Sequence, residues 1–187
     1  PRGLELRPGD AALYNNLGRL AMAQGRTDDA MTMWRRALQH QPDLALAHDN
    51  LGLAEIAAGR AAEAEASLRR AIAAQPGYTE AKQQLAALLL SRGNGDEALA
   101  LATEALARQE TNETKQTFAR ALLSATFKPD ATLRERLRRA IAEAWFDPQE
   151  LAPVCAAVIK AHPVIAPAIH RINEQWSQAI AAQQHVS

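Results

Sequence analysis

Residues 11–44 read AALYNNLGRLAMAQGRTDDAMTMWRRALQHQPDL, and residues 45–78, ALAHDNLGLAEIAAGRAAEAEASLRRAIAAQPGY, repeat their plan 34 positions later. Leu17, Leu51 and Leu85 stand 34 apart, as do Gly25, Gly59 and Gly93, Ala30, Ala64 and Ala98, Ala37, Ala71 and Ala105, and Pro8, Pro42 and Pro76. A fixed period of this size marks stacked helical hairpins, each unable to bury its apolar face alone. Every copy has an amphipathic helix with a small residue in its middle (Gly18, Gly52, Ala86), a glycine stop, a second helix, and a proline or turn. The stop glycine suits the left-handed backbone just past a helix end. The small residues let neighbouring helices approach, with the leucines filling the seam.

The spacing predicts six helices, near 11–24, 27–40, 45–58, 61–74, 79–92 and 95–108, with Asp10 capping the first. In copy one, Tyr14, Leu17, Gly18, Gly25, Ala30, Trp34, Ala37 and Pro42 together resemble the tetratricopeptide repeat. In copy two the matching residues are Leu51, Gly52, Gly59, Ala64, Leu68, Ala71 and Pro76. Copy three keeps Leu85, Ala86, Gly93, Ala98 and Ala105, but Ala102 stands at the bulky position and Glu110 at the proline. The resemblance implies an all-α fold, a right-handed solenoid of helix-turn-helix repeats (11–44, 45–78, 79–112), and a scaffold with a concave binding face.

Outside those copies the pattern changes. Arg2-Gly3-Leu4 aligns with Arg36-Ala37-Leu38, so residues 1–10 read as the end of a truncated preceding repeat. The chain is thus expected to be part of a longer array, with self-association through exposed end repeats. Residues 113–146 read as a degenerate hairpin: a helix over 114–127 with Phe118, Ala119, Leu122 and Leu123 on its apolar face, and another over 132–145. Residues 147–187 read as a C-terminal helical extension, with helices over 148–161 and 163–182 containing Pro153 and Pro167. From Phe118 to Trp176 the string, through Leu133, Leu137, Ala140, Glu143, Trp145, Pro148, Leu151 and Ala152, is similar to the helical region after the repeats in bacterial tetratricopeptide-containing class I S-adenosylmethionine-dependent methyltransferases. That resemblance implies a substrate-recruiting arm of a larger enzyme. The chain carries no strand with a glycine-rich loop, so no catalysis is expected from it.

Composition limits the partners. Lys and Arg number 21, and Asp and Glu number 21, so no single-sign field draws nucleic acid or an anionic membrane. The basic run Arg134, Arg136, Arg138 and Arg139 has no interleaved aromatics and reads as a solvated helix face. Cys155 is the only cysteine, which excludes an internal disulfide and suits a reducing, cytoplasmic setting. No run of about 18 apolar residues is present for a membrane span. The five histidines lack ligand spacing, so no metal or other cofactor is expected.

The expected function is protein–protein interaction, with a peptide or partner segment held on the concave face. Helical stepping puts Asn15, Asn16, Arg19, Asp49, Asn50, Leu53, Gln83 and Gln84 on that face. Asn16, Asn50 and Gln84 are 34 apart, and a side-chain amide can both donate to and accept from a peptide unit. Such a ladder is similar to that of O-GlcNAc transferase repeats, and would grip an extended chain by its backbone. The chaperone carboxylate clamp does not fit, because Glu80 stands where a cation is needed.

Overall fold

The computed structural model describes residues 10–125 and, beyond them, only positions 135, 136, 138, 139 and 156. By contacts the chain divides into Pro1–Ser124 and Ala125–Ser187, each taken by itself below. The expected helix remnant at 1–7, most of the helices over 132–145 and 148–161, the helix over 163–182, Cys155, and most of the methyltransferase-like string lie outside the described residues.

Seven helices are described in the first unit. They are α1 (Ala11–Ala23), α2 (Thr27–His40), α3 (Ala45–Ala57), α4 (Ala61–Ala74), α5 (Thr79–Ser91), α6 (Gly95–Arg108) and α7 (Asn112–Ser124). The periodicity placed the first six to within a residue. Helices pair as hairpins, α1 with α2, α3 with α4 and α5 with α6, and each second helix packs on the next first helix. This is an all-α solenoid.

The stops work as expected, through a repeated backbone motif. Gly25, Gly59 and Gly93 have φ of 75°, 73° and 78°. At the first, Arg26 N donates to Ala21 O at 2.9 Å and Gly25 N to Met22 O at 3.0 Å, the two bonds of a Schellman motif. Arg60 N to Glu55 O and Asn94 N to Leu89 O repeat it. Asp10 caps α1, its carboxylate accepting from Ala12 N at 3.0 Å and Leu13 N at 3.3 Å.

Small residues at the hairpin seams have the expected cause. A Cβ on Gly18 would lie 2.5 Å from Trp34 Nε1, and one on Gly52 would lie 2.9 Å from Leu68 Cγ. Trp34, Leu68, Met31, Leu85, Leu89 and Phe118 form the buried spine.

Helix α7 departs from expectation at both ends. It begins at Asn112 because Thr111 and Thr114 cap each other: Thr111 N donates to Thr114 Oγ1 at 2.9 Å, and Thr114 N to Thr111 Oγ1 at 3.2 Å. Phe118, Ala119 and Leu122 are buried, but Leu123 is 44% exposed. One residue is a rotation of about 100° on a helix, which carries Leu123 off the face that Leu122 occupies. In the second unit Arg138 pairs with Glu135 one turn away, both exposed.

Candidate functional site

The first helices α1, α3 and α5 carry every side chain expected to bind. Asn15 and Asn16 part company at once. Asn15 is buried and accepts at Oδ1 from Asn50 Nδ2 at 3.0 Å, while Asn16 is exposed. Neighbouring helix positions cannot share a face, so the Asn15 amide links two repeats rather than facing a groove. The ladder of Asn16, Asn50 and Gln84 is therefore uneven, since Asn50 spends one donor internally. Arg19, Asn50 and Leu53 do converge. With Met22, Ala23 and Trp34 they line a hollow of about 340 Å³. Beside it Leu46, Leu53 and Ile56 run along one stripe of α3, exposed by 43%, 40% and 38%.

Asp49 is turned inside, 4% exposed. Its Oδ2 accepts from the Tyr78 hydroxyl at 3.0 Å, tying α3 to the residue before α5. Its Oδ1 has no hydrogen-bond partner among the described residues, and neither does the buried Oε1 of Gln84. Burial pushes the Asp49 carboxyl above its ordinary value of 3.8, nearby Glu80 adds to this, and the Tyr78 and Gln84 side chains pull it back. Burial, then the Asp49 charge, likewise raises the Tyr78 hydroxyl. The native state thus holds the Asp49 proton more tightly than the unfolded chain. Stability falls as pH rises from about 3.8 through the native value. Asp49→Asn keeps an acceptor for Tyr78 and removes a buried charge whose ionisation burial disfavours. It is expected to add about 1 kcal/mol at pH 7 and to flatten the slope above pH 4. Urea midpoints of both proteins across pH 3.5–7 measure this; parallel slopes would defeat the assignment.

Gln83 and Gln84, both half-buried, line a second hollow of about 260 Å³ with Glu80, Ala87, Glu113 and Thr117. It lies between α5 and α7. Glu80 stands at its edge.

A polar cluster on another face escaped the sequence reading. Glu55, buried, accepts from Ser67 Oγ at 2.7 Å and pairs with half-exposed Arg35 at 3.5 Å. His48 Nε2 bonds to Pro42 O at 2.9 Å, so that nitrogen carries the proton and its buried Nδ1 has no partner. These side chains, with Gln39, Glu63 and Arg70, line a hollow of about 650 Å³ among α2, α3 and α4. A signal existed. Glu55 stands 34 residues from Ala21 and Leu89, both buried and apolar. Among the described residues no group of three or more His, Cys, Asp or Glu could hold a metal. No described helix is long and apolar enough to cross a membrane.

The solenoid is similar to several solved structures. YrrB, titled a TPR protein with an unusual peptide-binding site, is 18% identical with a TM-score of 0.67, over 92% of this chain and 96% of its own. A mutant O-GlcNAc transferase from Thermobaculum terrenum is 23% identical with a TM-score of 0.59, over 73% of this chain and 25% of its own. The first repeat domain of Spaghetti (RPAP3), solved bound to an HSP90 peptide, is 19% identical with a TM-score of 0.57, over 60% of this chain and 90% of its own. At these identities the likeness is one of fold. No curated protein matches the chain. Two family models, each described as tetratricopeptide repeat, match residues 15–79 and 55–115. Across residues 15–115 the chain belongs to the tetratricopeptide repeat family.

Proposed function

We propose that this chain is a non-catalytic scaffold that holds an extended peptide segment on the face formed by its first helices. One observation carries the reading. Leu46, Leu53 and Ile56 stand exposed in a stripe beside the hollow of Arg19, Met22, Trp34 and Asn50. An apolar stripe next to a concavity with a few polar groups is the form of a docking surface. The Asn50 side chain supplies the polar contact to a peptide unit, and Leu53 the apolar one. The peptide-bound RPAP3 domain, alike in fold, supports the same use.

The test starts from peptides selected on the full chain from a random display library. Burying a leucine contributes about 1.5–3 kcal/mol, so Leu53→Asp is expected to weaken those peptides by at least about tenfold. Leu53 is exposed, so the melting temperature should hardly move. Arg70→Ala, in the hollow of the opposite face, should leave binding intact. Binding lost in Arg70→Ala and kept in Leu53→Asp would place the site on that other face instead.

A further inference from the structure

The charges of the first-helix face narrow the partner's chemistry, if that face is the groove proposed above. Many charges of the solenoid are paired: Arg26 with Asp29, Arg35 with Glu55, Arg69 with Glu65 and Glu97, Lys82 with Glu104. Arg19, Glu80 and Glu113 have no ion-pair partner among the described residues. Arg19 lies at one end of the groove, on α1, and lines the first hollow. Glu80 and Glu113 lie at the other end, on α5 and α7, and line the second. Between them runs the apolar stripe of α3.

Asp49 Oδ1 and Gln84 Oε1, which have no hydrogen-bond partner among the described residues, are buried behind the second hollow and out of a ligand's reach. The Thr117 hydroxyl is committed to Glu113 O at 2.9 Å. Two carboxylates without an ion-pair partner among the described residues, both on the lining of this hollow, favour a cation there. An arginine or lysine side chain has five or three N–H groups. Glu80 and Glu113 also sit in the first turns of their helices, where an acid stabilises the helix. Both are exposed, so that role leaves their carboxylates open to a bound cation.

We propose that the bound segment is bipolar: a basic side chain seated against Glu80 and Glu113, an apolar middle over Leu53, and an acidic side chain facing Arg19. Helix axes pack roughly 8–10 Å apart, so α1 and α5 are on the order of 20 Å apart. Extended chain covers that span in about six residues. An acidic C-terminal tail is thereby disfavoured, since its charges would meet Glu80 and Glu113.

The experiment selects a random twelve-residue display library on the full chain and on three variants: Leu53→Asp, Arg19→Glu, and Glu80→Lys with Glu113→Lys. Circular dichroism confirms that each is folded. On the wild type, enriched peptides should carry one acid and one base about six residues apart, in either order. Reversal at Arg19 should switch enrichment to peptides basic at both ends. Reversal at Glu80 and Glu113 should switch it to peptides acidic at both ends, with at least tenfold loss for the wild-type set. Peptides that need Leu53 but show the same charge pattern on every variant would overturn the bipolar assignment and leave the groove standing. Peptides indifferent to Leu53→Asp, or no enrichment at all, would overturn both.

Discussion

Trp34→Ala is expected to lower stability by about 3–5 kcal/mol, among the largest losses any single change in the solenoid should cause. Trp34 is 2% exposed and fills the α1–α2 seam against Gly18. Its Nε1 donates to Asn15 O at 3.2 Å, inside the core. Truncation empties the largest side-chain volume in that hairpin. The same Asn15 holds Asn50 of α3, so the damage reaches the next repeat. In a solenoid each hairpin is held by its own seam and by its neighbour alone. The loss should therefore appear first as local opening. Amide exchange should speed up through α1 and α2 while α5 and α6 stay protected. Trp34→Leu should be milder, because Leu68 already serves at the equivalent place against Gly52. Urea unfolding with residue-resolved exchange measures both; a loss for Trp34→Ala below about 1 kcal/mol would mean the seam collapses onto the vacancy.

Most of this hairpin architecture was legible from spacing. A period of 34 leaves few ways to place a helix stop, and Gly25, Gly59 and Gly93 take the positive φ that their positions demanded. The size exchange at the seams was legible too, because Gly18 faces Trp34 and Gly52 faces Leu68. The face of individual polar residues was less so. Stepping along one helix cannot say which polar side chain a neighbouring repeat will cover. Asn15 and Asp49 were assigned to the open groove, yet one is bonded to Asn50 and the other to Tyr78. Their partners are 35 and 29 residues away. That separation follows from the stacking of repeats, and a polar residue looks solvent-facing until its partner is known. Glu55 and Lys82 teach the same lesson. Both are buried and bonded, to Ser67 and to Glu104. Comparison of equivalent positions would have exposed Glu55, since the other copies hold Ala21 and Leu89 there. The Arg19, Asn50 and Leu53 group needed no such help. Arg19 and Leu53 are exposed and Asn50 half-exposed on one side of their helices, where a helical wheel suffices.

Gly18→Ala is expected to destabilise by about 1–3 kcal/mol, against the helix preference that would favour alanine there. Two effects oppose each other. Alanine gains about 0.8–1 kcal/mol over glycine within a helix. The new methyl, however, would sit 2.5 Å from Trp34 Nε1, 2.7 Å from Cε2 and 2.8 Å from Cδ1. Carbon contacts prefer about 3.5–4 Å, so either the indole must move or the helices must part. The indole is held by its bond to Asn15 O, and the clash prevails. Three other glycines isolate the cause. Gly52→Ala meets Leu68 at 2.9 Å and should cost less, since Leu68 is smaller and carries no hydrogen bond. Gly77→Ala meets the guanidinium end of Arg108, which can swing aside, so a change within about 0.5 kcal/mol is expected. Gly25→Ala meets no atom within 4 Å, and its loss of about 1 kcal/mol would come from the positive φ alone. The deciding measurement is a double-mutant cycle with Trp34→Leu. If the seam works by size exchange, Gly18→Ala should cost clearly less beside Leu at 34, as is expected of Gly52→Ala beside Leu68, with a coupling of at least about 1 kcal/mol. The third copy already has a small pair at these places, Ala86 and Ala102, both fully buried. A cycle that closes additively would show that the cost arises in the helix itself, and that the seam does not set the size of either residue.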